Sequence, residues 1–269
     1  YESNLLLFHK EDLLYYTLGP LLVPLLPLLY WQGKQIIQKV PRLPEAKGNE
    51  GCTKKGSQKQ RVVLGLGEST MAGVGVAHQN EGFIGNFCEA LQQQTQQSIV
   101  WEVVAKSGIK AEGVCKRLLP KIKTEQPDLI VIALGGNDAF ALRSPRQWAR
   151  DSTALVHALR EKFAPQTPIV FTNMPPIRYF PAFTPLIQKV IGGLVDLYRN
   201  KWRRYLSSFH NVYFNDEIIH FSTWNKRYQI NVSLETLFSD GVHPSRATYQ
   251  LWGQDMAQFC KEKILQQWN

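Results

Sequence analysis

Five short apolar runs, at residues 61–66, 99–105, 128–134, 168–173 and 211–215, divide the chain, and each is followed by a stretch whose apolar residues recur at helical spacing. Strands that alternate with helices return across the sheet through each helix and so lie parallel, and a parallel sheet buries both of its faces. The pattern predicts a three-layer α/β/α domain with a five-stranded parallel sheet over residues 61–269. Helices at 82–94, 111–124, 145–163, 185–207 and 246–266 would cover it, with Ser245 as the N-cap of the last. A chain of 269 residues that is 44% hydrophobic is large enough to bury such a core as one domain.

Ligands of parallel sheets bind beyond the carboxyl ends of the strands. The first run ends in "VVLGLGESTMAGVGV", residues 62–76, where glycines at 65, 67, 73 and 75 surround Ser69 and permit close approaches that side chains would block. After the second run stand Lys106, Ser107 and Gly108; after the third, Gly135, Gly136, Asn137 and Asp138. Just before the last helix, "SDGVHPS" places Asp240 three residues from His243.

Together these residues supply a hydroxyl, an imidazole, a carboxylate and an amide, the inventory for nucleophilic acyl transfer. A serine needs a base to take its proton, and histidine has the suitable unperturbed pKa. Asp240 could hold the imidazole in one tautomer. The N–H groups of Ser69 and Gly108 and the side-chain amide of Asn137 could stabilise an oxyanion. Each motif alone is more often a turn or a helix cap; their joint occurrence at strand ends favours catalysis. No P-loop lysine follows the glycines, and their spacing does not fit a dinucleotide fingerprint.

The four blocks, Gly67-Glu68-Ser69, Gly108, Gly135-Gly136-Asn137-Asp138 and Asp240-Gly241-Val242-His243-Pro244, resemble those of the SGNH hydrolases, or GDSL-type esterases, in that family's order. The resemblance covers residue 61 to the C-terminus and implies a flavodoxin-like SGNH hydrolase fold. It implies Ser69 as nucleophile, His243 and Asp240 as the base pair, and Gly108 and Asn137 as oxyanion donors. No metal or cofactor is expected, because side chains account for the nucleophile and its activation. Glu68 stands where the family usually has Asp; it flanks the nucleophile and is expected to leave activity intact.

The N-terminus has a different character. Residues 13–31, "LLYYTLGPLLVPLLPLLYW", contain no charge over a length that could cross a bilayer. Pro20, Pro24 and Pro27 favour a bent, shallowly inserted segment over a straight span, and Tyr15, Tyr16, Tyr30 and Trp31 suit a membrane interface. The competing expectation is an apolar arm packed on its own domain or on a second subunit. A cleaved signal peptide fits poorly, because Lys10, Glu11 and Asp12 are not a basic leader and no A-x-A site follows. Residues 1–32 thus form an arm and possible anchor, and residues 33–60, rich in Lys, Gly, Gln and Pro, form a basic linker. If the arm meets a membrane, Lys34, Lys39, Arg42 and Lys47 favour the cytoplasmic side; a soluble cytoplasmic protein is the alternative.

The net charge of +9 gathers at residues 54–61, 106–123 and 199–204 without a nucleic-acid motif, so solvated basic faces come first, a membrane surface second, and no nucleic-acid partner is expected. Cys52, Cys88, Cys115 and Cys260 have no metal-ligand spacing and read as free thiols. The triplet Asn231, Val232, Ser233 fits a glycosylation acceptor but such triplets are common by chance.

For substrate, Met174, Ile177, Tyr179, Phe180 and Phe183 follow the fourth strand and could line an acyl-chain groove or form a lid. This segment and the apolar arm are similar to a bacterial subgroup of SGNH esterases linked to fatty-acid release in long-chain N-acyl amino acid biosynthesis. That likeness tilts the expectation to a medium- or long-chain acyl ester. A carbohydrate O-deacetylase of the same family and a non-catalytic membrane-bound scaffold are the alternatives.

Overall fold

The structure, a computed structural model, describes residues 8–53, 57–229 and 233–264. Asn231 of the glycosylation triplet, the start of the first basic cluster and the last two residues of the expected C-terminal helix lie outside the described residues.

The sheet consists of β1 (Glu50–Cys52), β2 (Ser57–Gly67), β3 (Gln97–Ala105), β4 (Leu129–Ala133), β5 (Ile169–Phe171) and β6 (Val212–Phe214), in the order β1-β3-β2-β4-β5-β6. The five expected strands are parallel, and the chain reverses its winding direction at the β2/β4 pair, where Val63 registers with Leu129 and Gly67 with Ala133. Every residue of β4 is buried, as a central strand covered on both faces requires.

A sixth strand was not expected. β1 lies inside the segment read as a linker and pairs antiparallel with β3 at the sheet edge, Gly51 opposite Trp101. Three residues are too few to display a period of two. A Cβ on Gly51 would meet the Trp101 ring at 2.2 Å, so glycine is what allows the pairing.

The helices are α1 (Lys10–Leu22), α2 (Leu26–Lys39), α3 (Phe83–Thr95), α4 (Ala111–Arg117), α5 (Gly136–Phe140), α6 (Pro145–Lys162), α7 (Pro185–Tyr205), α8 (Phe221–Arg227) and α9 (Arg246–Lys263). α3 and α9 pack together on one face of the sheet; α4, α6 and α7 form a second packed group. Trp148 of α6 stacks on Tyr198 of α7 with ring centroids 5.1 Å apart and meets Trp202 edge-on, while Phe83 of α3 lies 4.3 Å from Trp252 of α9. Ser245 caps α9 by accepting from the Thr248 N–H, as its position predicted. α4 stops at Arg117, short of the expected 124, because Pro120 cannot supply the next helical N–H and a 3-10 turn at Leu119–Lys121 follows instead.

The N-terminal arm is helical over Lys10–Lys39, interrupted by a 3-10 turn at Val23–Leu25. Pro24 and Pro27 fall in first turns, where their missing N–H groups have no partner to lose, and Pro20 alone lies inside α1. The arm is long and apolar enough to cross a membrane, yet it also touches the domain, through α1 on α6 and α7 and through α2 on α7.

Candidate active site

β2 ends at Gly67, and the Glu68 N–H donates to the Ala133 carbonyl at 3.0 Å, so the turn carrying Ser69 starts in register with the end of β4. Ser69 is half-buried at this turn, and its carbonyl accepts from the Val74 N–H at 3.0 Å. The same turn is fastened to the loop that carries Asp240 and His243. Ser239 Oγ donates to the carbonyls of Gly75 and Pro244, and Tyr249 Oη of α9 donates to the Val74 carbonyl at 2.7 Å. Gly75 has φ +106°, and a Cβ there would meet the Pro244 carbonyl at 2.6 Å; the close approach of the two loops requires glycine.

Within that loop the Asp240 side chain is buried and accepts at both oxygens. Oδ1 takes the N–H groups of Val242 and His243 at 2.9 and 2.7 Å, and Oδ2 takes His243 Nδ1 at 2.7 Å. A carboxylate can only accept, so Nδ1 carries a proton, and in the neutral imidazole Nε2 presents a lone pair. Burial pushes the Asp240 carboxyl up, but the His243 imidazole and the two N–H groups outweigh it and leave the carboxyl below its ordinary value. It therefore stays ionised beside the imidazole.

Glu68 occupies the centre of the site. Its side chain is buried, Oε1 accepts from the Gly136 N–H at 3.0 Å, and Oε2 accepts from the Asn137 N–H at 3.0 Å and from Asn137 Nδ2 at 2.7 Å. Burial pushes the Glu68 carboxyl up to about 7 against the pull of those N–H donors. The sequence treated Glu68 as a flanking residue; here it bolts the first block to the third. Only its oddity in the Asp position could have signalled this.

Asn137 Nδ2 also donates to the Ile109 carbonyl at 3.0 Å. Both amide hydrogens are thus engaged, and donation to an oxyanion would require the Ile109 carbonyl to give one up. Gly108, just before, has φ +78° and open space where a Cβ would stand. Its loop is held on either side, by Glu45 Oε1 accepting from the Ser107 N–H at 2.7 Å and by Asp138 Oδ2 accepting from the Ala111 N–H at 3.0 Å. Asp138 is fully buried and pushed up to about 6 by that burial, opposed by the Ala111 N–H and by Arg143.

The five expected acyl-groove residues do not share one surface. Phe180 lines a small cavity of about 50 Å³ with Glu68, Thr70, Phe221, Phe238 and Val242. Met174, Ile177 and Tyr179 line a separate one of about 180 Å³ with Gly192 and His220. Phe183 packs edge-on against Phe140 at 5.3 Å. Sequence reasoning missed the contributions of Phe221, Phe238 and Val242 to the cavity beside Glu68, because they lie in later loops whose approach is a tertiary property.

The model of the GDSL-like lipase/acylhydrolase family matches residues 66–251, the span from the Ser69 turn through α9's first turns. The chain belongs to the GDSL-like lipase/acylhydrolase family. This membership places it among hydrolases. No curated protein matches its sequence. Among solved structures, a GDSL-like lipase from Parabacteroides merdae is similar at 20% identity and a TM-score of 0.57, over 78% of this chain and 99% of that one. A lipase from a goat rumen metagenome is similar at 17% identity and a TM-score of 0.55, over 74% and 96%. A family two carbohydrate esterase from Clostridium thermocellum is similar at 16% identity and a TM-score of 0.53, over 79% of this chain and 65% of that one. These likenesses show a shared α/β fold, a central sheet with helices on both sides.

Proposed function

We propose that this protein is a serine ester hydrolase that cleaves medium- or long-chain acyl esters through an acyl-enzyme on Ser69. The observation that carries the reading is the His243–Asp240 pair. With Nδ1–H committed to Asp240 Oδ2 at 2.7 Å, the lone pair of Nε2 is the base that a serine hydroxyl needs.

In the proposed reaction Ser69 Oγ attacks the ester carbonyl as its proton passes to His243 Nε2. The oxyanion takes hydrogen bonds from the N–H groups of Ser69 and Gly108 and from Asn137, whose amide exchanges the Ile109 carbonyl for the substrate. His243 then protonates the leaving alcohol. Water attacks the acyl-enzyme by the same route in reverse, returning the serine and releasing the acid.

Support for an acyl substrate comes from the apolar walls of the cavity beside Glu68, built by Phe180, Phe221, Phe238 and Val242. The likeness to esterases of N-acyl amino acid biosynthesis points the same way. The apolar arm favours a membrane location, and the basic residues Lys34, Lys39, Arg42 and Lys47 that follow it favour the cytoplasmic leaflet.

The test is hydrolysis of a p-nitrophenyl ester series from acetyl to palmitoyl, with Ser69→Ala as control. Serine-dependent activity that peaks at medium or long chains supports the proposal. A peak at acetyl moves the reading to a deacetylase, and no activity in folded protein moves it to a scaffold.

A further inference from the structure

The N-terminal arm is tied to α7 at both of its ends. At its start, Asp12 Oδ2 lies 2.5 Å from Lys201 Nζ, and both side chains are fully buried. Beside them Glu11, also buried, faces Arg204 at 3.4 Å. Further along, Tyr15 Oη donates to the Leu142 carbonyl at 2.6 Å. Near the arm's far end, Thr184 Oγ1, on the N-cap residue of α7, donates to Gln32 Oε1 at 2.7 Å. From Asp12 to Gln32 the helical rise is about 30 Å, and from Lys201 back to Thr184 it is about 25 Å. The arm therefore runs antiparallel along most of α7.

What the docking leaves uncovered is almost wholly apolar. Leu18, Leu21, Val23, Tyr30 and Trp31 are each more than half exposed, and only 6% of the arm's most apolar window is buried. Tyr15, Leu29 and Ile36 are the residues that turn to the core. The exposed strip does not end with the arm. Tyr15 holds the loop after α5; Phe140, the last residue of α5, and Leu142 in that loop are exposed three and five residues beyond Asn137. Leu142 sits at φ +51°, a conformation that side-chain-bearing residues rarely adopt, in the loop that presents this apolar side chain outward.

We propose that the arm is an in-plane, monotopic membrane-binding surface that stays docked on α7, and that Phe140 and Leu142 extend it to the rim of the catalytic loops. A bilayer is the occupant that fits. The strip combines a length without charge, exposed tyrosine and tryptophan toward its ends, and lysines at 34 and 39 beyond it, the composition of an interfacial helix on an anionic leaflet. A span would need the arm to swing off α7, break the four hydrogen bonds and ion pairs named above, and uncover the buried Lys201 ammonium. Lying flat, it keeps all of them and brings the Asn137 loop to the lipid surface.

The experiment uses the full chain with one protease-removable tag at each terminus, reconstituted into sealed vesicles of phosphatidylcholine and phosphatidylglycerol and floated on a density gradient. After external protease, the proposal expects each molecule to retain both tags or neither, because both termini share one side. Molecules that keep one tag and lose the other would establish a span and overturn it. Failure to float, or a detergent-free dimer that hides the strip, would assign the strip to a protein partner and also overturn it. Leu18→Glu with Leu21→Glu should lower vesicle partitioning by about tenfold or more, and unchanged partitioning would contradict the surface assignment. None of these readouts depends on activity at Ser69.

Discussion

Glu68 and Asn137 are joined twice, by the Asn137 backbone N–H on Glu68 Oε2 at 3.0 Å and by Asn137 Nδ2 on the same oxygen at 2.7 Å. The residue before the proposed nucleophile thereby sets the position of a proposed oxyanion donor. Relative placement of these two groups decides transition-state stabilisation, because donors must be aimed before charge develops.

Replacing Asn137 with Ala should lower kcat by roughly two to three orders of magnitude if the amide donates to the oxyanion. Glu68→Ala removes the bolt without removing the donor, and should lower kcat by roughly one to two orders of magnitude while Glu68→Asp recovers part of the loss. Steady-state kinetics on a p-nitrophenyl ester checks both. Near-normal turnover in Asn137→Ala would take the residue out of that role.

The buried Glu68 carboxyl is pushed up to about 7, so the folded state binds its proton more tightly than the unfolded chain does. The associated stability is fully present below the unfolded value near 4.5 and is lost as pH rises through about 7. The loss amounts to roughly 3 kcal/mol across that window. Asp138, pushed up to about 6, adds in the same direction. Denaturant midpoints measured from pH 4.5 to 8 should fall with rising pH, and Glu68→Gln should flatten the upper part of that slope.

Asp240→Asn should leave the fold intact but lower kcat by roughly three to four orders of magnitude, since an amide can donate to Nδ1 and select the wrong imidazole tautomer. Steady-state kinetics and a thermal melt check it. Loss of turnover with no change in thermal stability beyond a few degrees is the expected result.

Breaking the Asp12–Lys201 pair from one side strands a charge where both side chains are fully buried. Asp12→Ala should cost roughly 3–5 kcal/mol of stability, whereas Asp12→Leu combined with Lys201→Met should recover most of it. Chemical denaturation of the three proteins checks the difference.

The sheet was legible because its parallel strands announce themselves as runs of apolar residues, β4 most clearly, and because Ser245 signals its helix in the local sequence. β1 and α8 were not, being only three and seven residues long, and α8 has no side-chain cap to mark its start. In the candidate site, block order makes Ser69, Asn137, Asp240 and His243 the candidates. The contacts that hold them in place could not be read from the sequence. The clasp of Ser239 on Gly75, the bolt of Glu68 on Asn137 and the hold of Asp138 on Ala111 join residues between 27 and 164 positions apart, and no local pattern encodes such partners. The acyl-groove expectation was drawn from one segment, whereas the cavity beside Glu68 is assembled from several loops.

The most direct test of the central claim is covalent labelling with a fluorophosphonate, followed by mass spectrometry of the peptide that contains residue 69. The account predicts stoichiometric modification of Ser69, strongly slowed in His243→Ala. Folded protein that leaves Ser69 unlabelled, or labels as fast without His243, would contradict a nucleophile activated by the imidazole.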